Sequence, residues 1–138
     1  MLLGFKKRFA KPILEGTKKF TIRDRRKVEP KIGERLYMYT GLRTKDCQKI
    51  GDDKVLVGVH LVDIQVQVNL DFGYMIKIRV SGVLLTPPAK DKFYRQDGFL
   101  YKSDFAEYWL QDVKTQKNGT RYVEKLDLLM YAWEGPTV

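Results

Sequence analysis

Residues 62–80, VDIQVQVNLDFGYMIKIRV, decide the fold class. Val62, Ile64, Val66, Val68 and Leu70 alternate with Asp63, Gln65, Gln67 and Asn69. The stretch NLDFGY turns the chain, and Ile76, Ile78 and Val80 then alternate with Lys77, Arg79 and Ser81. Two runs with a side-chain period of two, joined by a turn, read as an antiparallel hairpin with one apolar face. Just upstream, Val55, Val57, Val59 and Leu61 run on the opposite phase. The change of phase at Leu61-Val62 predicts a bulge or bend there.

Beyond the hairpin, TPP at 86–88 breaks the sheet and a helix is expected over about 88–96. Ser103 can cap a second helix, with Asp104 in its first turn facing the positive end of the helix dipole. Phe105, Trp109 and Val113 would share one face, and Lys114 and Lys117 would close the helix near Asn118-Gly119. In EKLDLLMYAW (124–133) Leu126, Leu128, Met130 and Ala132 alternate, which predicts a closing strand.

On the N-terminal side, MLLGF reads as an opening strand. Phe5, Phe9 and Ile13 recur every four residues, so a short helix over about 8–15 fits. Pro12 is tolerated there only in the first turn, and Gly16 stands where a left-handed cap would end it. KKFTIR (18–23) returns to period two. Phe20 and Ile22 should face the core, leaving Thr21 and Arg23 together on the other face, roughly 6–7 Å apart. Gly33 marks a turn, RLYMYT (35–40) a strand, and 41–53 a polar loop. About six strands with short helices between them describe an α+β fold, a small mixed β-barrel flanked by helices, in one domain over 1–138.

The 138 residues are 43% hydrophobic, enough for one sizeable core. The formal net charge is +9, and it is unevenly placed. Residues 1–50 hold 15 Lys+Arg against 5 Asp+Glu, whereas residues 51–138 hold 11 against 12. Cations gathered in one third of the chain focus a field that mixed charges would cancel, which favours an anionic partner such as nucleic acid. The single cysteine, Cys47, rules out an internal disulfide and suits a reducing compartment. With charges starting at Lys6, the N-terminus lacks the apolar run of a signal peptide or membrane span. A cytoplasmic protein, monomeric by default and without membrane contact, is expected.

Three stretches resemble one family. GTKKFTIR (16–23) is similar to the G-x-K-x-x-T-x-R signature of the ASCH family, a branch of the PUA-like superfamily. KIGERLYMYTG (31–41) resembles the K-x-G-[DE] segment and strand that follow it there. QDGFLYKSDFAEYW (96–109) resembles the family's D-G-F segment and aromatic helix. The resemblance implies a PUA-like barrel with a cleft lined by the first motif, and RNA or a modified nucleoside as ligand. One branch, the N4-acetylcytidine amidohydrolases, uses a Lys, a Thr and an acidic residue. By motif match these are Lys18, Thr21 and Asp97, although that branch has Glu at the last position and shorter chains. Other members are ribonucleases or RNA binders.

Each candidate also has a structural reading. Thr21 as a nucleophile needs a base, and Lys18 serves if desolvation lowers its pKa; otherwise the two are a strand threonine and a solvated lysine. Asp97 beside Gly98 also suits a turn. Arg23 and Arg25 have the paired donors that phosphate takes, as well as carboxylate neighbours. Lys19 adds charge to the same motif. In YTGLRTKDCQK (39–49) Arg43 and Lys45 flank a glycine-opened loop able to cradle phosphate, and Tyr39 can stack on a base or pack at a strand end. One histidine, His60, and one cysteine do not make a zinc site, and no cofactor is expected. A protein-interaction domain whose basic face docks an acidic partner is the remaining alternative.

Overall fold

The computed structural model describes residues 1–134. The chain opens with β1 (Leu2–Phe5), a single 3-10 turn (Lys7–Phe9) and α1 (Ala10–Glu15). Gly16 ends α1 in the left-handed region at φ 81°, and Pro12 lies within the helix's first turn. There its missing N–H costs nothing. β2 (Phe20–Arg23) and β3 (Arg35–Thr40) follow. The 41–53 region is not featureless: it carries β4 (Gln48–Lys49), with β5 (Lys54–Val55) directly after it. Then come β6 (Gly58–Asn69), β7 (Gly73–Val80), β8 (Val83–Leu84), α2 (Pro87–Gln96), α3 (Lys102–Leu110) and β9 (Arg121–Ala132).

The strands form two sheets. One has β1 parallel to β3, with β4 and β5 both pairing antiparallel to β3; the other runs β2-β9-β6-β7-β8. The expected barrel is therefore not formed. No strand among the described residues hydrogen-bonds into both sheets, and closing a barrel requires such continuity. Helices cover the apolar faces instead: α3 packs on β6, β7 and β9, and α2 packs on α3. The strand number also rises from about six to nine among the described residues, because three of them are two-residue pairings too short to show a period.

The β6–β7 hairpin has the register that its alternation demands, with Val62 opposite Val80 and Val66 opposite Ile76. Val62, Ile64 and Val66 are buried. The phase change at Leu61-Val62 is resolved differently from the expectation. β6 itself runs unbroken, and Leu61 stays exposed. The irregularity lies in β9, where the register shifts between the partners of Val62 and Ile64. Asp127 sits there at φ 57°, its N–H donating to the Asp63 carboxylate at 2.8 Å. A short polar side chain tolerates that backbone region and the partner bond pins it.

α3 also departs from its expected ends. It starts after Tyr101, whose carbonyl accepts from the N–H of both Asp104 and Phe105, so Ser103 lies inside the helix rather than at its cap. It stops at Leu110, before Val113. The Arg121 guanidinium accounts for this: it donates to the Leu110 carbonyl at 2.8 Å and is bidentate on Glu107. A cation at the helix C-terminus satisfies an otherwise free carbonyl.

The core gathers Leu3, Leu36 and Met38 of the smaller sheet with Ile64, Ile78 and Met130 of the larger one. An aromatic chain links Phe20 to Phe93, Phe93 to Phe105 and Phe105 to Phe99, at centroid separations of 4.9, 6.1 and 5.5 Å. It ties β2, α2 and α3 together and fixes the walls of the site described next. No helix among the described residues is long and apolar enough to cross a membrane.

Candidate functional site

The Gly16–Arg23 segment is held at three points before it becomes a strand. The Lys18 N–H donates to the Pro12 carbonyl at 3.0 Å, and the Lys19 N–H to the Gln96 carbonyl at 2.7 Å. The indole N–H of Trp133 donates to the Lys18 carbonyl at 3.1 Å. β2 then pairs antiparallel with β9, placing Thr21 opposite Tyr131. These bonds bring the first motif against the end of α2, where Asp97 caps the helix. Residues about eighty positions apart thereby become neighbours.

Lys18 and Asp97 form a buried ion pair. The Lys18 Nζ donates to the Asp97 carboxylate at 2.8 Å and to the Asp97 carbonyl at 2.6 Å. The two residues are only 2% and 5% exposed. Burial drives both groups toward their neutral forms: it lowers the Lys18 pKa and raises that of Asp97, outweighing their mutual attraction. Arg23 and Arg8 add to the lowering of Lys18 by like-charge repulsion. The Lys18 ammonium also lies 4.6 Å from the centre of the Phe9 ring, a cation–π contact.

Gly98 makes room for this pair. Its φ is +94°, and a Cβ there would lie 3.1 Å from both Lys18 Cδ and Phe9 Cδ1. The glycine of the D-G-F segment thus supplies a left-handed turn and leaves space for the lysine stem.

Thr21 is not on an open face. It is 5% exposed, and both faces of β2 are covered. Its Oγ1 accepts from Arg23 Nε at 3.1 Å, so the shared face inferred from the alternation is present as a hydrogen bond. Arg23 continues to the smaller sheet, its Nη2 donating to the Gly4 carbonyl at 2.7 Å, and its guanidinium lies 4.9 Å from the Phe5 ring centre. Burial lowers the Arg23 pKa, yet a guanidinium stays charged at neutral pH.

Lys18, Thr21, Arg23 and Asp97 line one cleft of about 430 Å³, within the range of small-ligand sites. Phe5, Phe9, Phe99, Tyr108 and Trp109 form much of the remaining wall, and Gly4, Gly41 and Leu42 its rim toward the smaller sheet. A ligand here would meet donors from Lys18 and Arg23, a hydroxyl from Thr21, a carboxylate from Asp97 and several aromatic surfaces. Among the described residues no group of three or more His, Cys, Asp or Glu is placed to hold a metal ion.

The other candidates stand outside this lining. Lys19 turns to Glu134 at 3.4 Å, and Arg25 pairs with Glu29 at 3.1 Å on the surface. Tyr39 lies half-buried in β3 between Gly4 of β1 and Lys49 of β4. Arg43 and Lys45 are exposed on the loop that follows the rim residues Gly41 and Leu42. That loop is tightly built: Thr44 Oγ1 donates to the Gly41 carbonyl at 2.6 Å, and Arg43 has a φ of 67°.

Sequence reasoning missed the aromatic wall, and it placed Gly98 in a turn without its close approach to Lys18 and Phe9. Trp109, whose helical spacing suggests core, lines the cleft, and its indole N–H has no hydrogen-bond partner. The usable signal was the aromatic content of the segment 96–109, with Phe99, Tyr108 and Trp109 all in it.

No protein-family model matches this chain, and no curated protein does. Among solved structures, the chain is similar to the ASCH protein of Zymomonas mobilis, with 15% identity and a TM-score of 0.45 over 99% of this chain and 67% of that one.

Proposed function

We propose that this chain is an ASCH-type domain that binds a nucleobase in the cleft, presented by RNA or by a modified nucleoside. The carrying observation is the convergence of Lys18, Thr21, Arg23 and Asp97, from separate segments, on one aromatic-walled cleft. Unstacked bases are recognised by stacking on aromatic rings and by hydrogen bonds to their edges. The cleft offers both, with donors from Lys18 and Arg23 and acceptors from Thr21 and Asp97. The positive balance of residues 1–50 supplies longer-range attraction for a phosphodiester chain.

The experiment is equilibrium binding of cytidine, N4-acetylcytidine and a short single-stranded RNA, each at two salt concentrations. A nucleoside should bind with little dependence on salt, and RNA with a marked one, since phosphate contacts release counterions. Arg23→Ala should weaken both. Absence of binding by any of the three, at low salt as well, overturns the proposal.

A second reading is favoured by one observation: burial lowers the pKa of Lys18, which lines the same cleft as a hydroxyl oriented by Arg23. In that reading the site hydrolyses an acylated nucleoside. Thr21 Oγ attacks the acyl carbonyl and its proton passes to Lys18. The C–N bond breaks, with a proton delivered to the leaving nitrogen by way of Asp97, and water then releases the acid from Thr21. Arg23 would steady the developing oxyanion. Incubation with N4-acetylcytidine, following cytidine release, tests it. Loss of turnover in both Thr21→Ala and Lys18→Ala is expected, and turnover that survives Thr21→Ala contradicts the mechanism.

A further inference from the structure

A second cavity, about 480 Å³, lies on the far side of Arg23. It shares Ile22, Arg23, Tyr108 and Trp109 with the first, so these side chains form a common wall between two chambers. The first chamber ends on the Lys18–Asp97 pair. The second is floored by Val113, Val123 and Leu128 and edged by Asp24, Asp112 and Lys125. Each exceeds 400 Å³, and neither pocket belongs to one element alone.

We propose that the site takes two successive nucleotides, with one base in each chamber and the linking phosphate over Arg23. The inference rests on the nucleobase reading of the first chamber and deepens it.

Arg23 is the one cation lining both chambers. Its Nε and Nη2 are engaged by Thr21 and Gly4. Its Nη1 has no partner among the described hydrogen bonds, which leaves donors for a phosphate oxygen from a guanidinium already held in place. Tyr108 and Trp109 stand ring to ring at 5.6 Å and 83°. Perpendicular rings in a shared wall offer aromatic surface in more than one direction, which suits bases splayed apart rather than stacked on each other.

The second chamber carries no surplus of cations to draw a phosphate into its interior. Asp24 and Asp112 place two carboxylates at its edge, against Lys125 and the shared Arg23. Carboxylates repel phosphate but accept hydrogen bonds from the exocyclic amino group of a base. The second base is therefore one that carries an exocyclic amino group, cytosine, adenine or guanine but not uracil, over an aliphatic floor. A mononucleotide whose phosphate had to enter this chamber would gain nothing over the nucleoside.

The test compares cytidine, cytidylyl-cytidine and uridylyl-uridine in binding to the intact chain, followed by calorimetry. Cytidylyl-cytidine should bind at least about tenfold more tightly than cytidine, with uridylyl-uridine weaker than cytidylyl-cytidine. Val113→Trp fills the second chamber and should reduce cytidylyl-cytidine to the affinity of cytidine while leaving cytidine unchanged. Because Val113 touches the core, the exposed Asp112→Lys is the second variant, and it should reduce the preference for cytosine over uracil. Equal affinity of wild type for cytidine and cytidylyl-cytidine overturns the two-chamber proposal while the nucleobase reading stands. So does an equal loss of both ligands in Val113→Trp with the fold retained. Failure of cytidine and both dinucleotides to bind overturns the nucleobase reading and this proposal together.

Discussion

Lys18 and Arg25 stand seven positions apart in one basic run, and their surroundings are opposite. Lys18 is buried, paired to Asp97 from a distant helix end and set between aromatic rings. Arg25 is exposed and paired to Glu29 four residues on, in solvent. The same contrast separates Arg23, bridging the two sheets, from Arg43 and Lys45 on an exposed loop. Charge density alone treats all five alike. What distinguishes them is whether desolvation has been imposed on the cation, and that depends on tertiary contacts.

A buried ion pair is expensive, because taking two charges from water costs more than their attraction commonly returns. The Lys18–Asp97 pair is thus poorly explained as a stabilising device and well explained as a site held in readiness. The largest expected effect follows from splitting it. Asp97→Ala leaves the Lys18 amine buried without its carboxylate, and should cost about 3–5 kcal/mol of folding stability in urea denaturation. A cost below about 1 kcal/mol would place Asp97 with the surface carboxylates.

Next in size is Gly98→Ala. The left-handed backbone and the tight approach to Lys18 and Phe9 together should cost about 1–2 kcal/mol and weaken ligand binding. An unchanged urea midpoint would contradict the packing assigned to Gly98.

The pair also predicts a pH dependence with a definite sign. The Lys18 pKa is lowered in the folded state from 10.5, so its contribution is fully present above 10.5 and is lost as pH falls through the folded value. The Asp97 pKa is raised from 3.8, so its contribution is present below 3.8 and is lost as pH rises through the folded value. Between those limits the pair weakens the fold. The double variant Lys18→Met/Asp97→Leu should therefore match or exceed wild-type stability near pH 7, with the gap closing toward both extremes, while ligand binding is lost. A double variant less stable near neutrality than at the extremes, relative to wild type, would reverse this account.

The smallest effect belongs to the surface. Arg25→Ala should change stability by less than about 0.5 kcal/mol, as exposed i,i+4 pairs do. Its effect on RNA affinity should fade as salt is raised.

Much of this contrast was legible in the sequence, for identifiable reasons. The hairpin of β6 and β7 follows from its own alternation, and α1 from the spacing of Phe9 and Ile13 with Gly16 at its end. The association of Thr21 with Arg23 followed from the period of β2, because partners two residues apart on a strand share a face. The barrel was not legible, since whether two sheets join depends on edge pairings between distant segments, and two-residue strands leave no periodic trace. The end of α3 depended on Arg121, from another strand, reaching the Leu110 carbonyl. Motif matching grouped Lys18 and Asp97 in one candidate site but did not foresee their ion pair, and nothing local could have shown it. The aromatic wall was hidden because Trp109 has the same helical spacing whether it faces a core or a cleft.

The central claim is that the buried cluster, and not the exposed basic surface, holds the ligand. Its most direct test is a titration of isotope-labelled protein with cytidine and then with a short single-stranded RNA, following backbone amide shifts. The account predicts that cytidine moves amides at Gly4, Lys18, Thr21, Phe99 and Tyr108, and that RNA moves the same set with additions around Arg23 and Trp109. Shifts confined to residues 25–31 and 43–49, with the amides of the cleft unmoved, would contradict it.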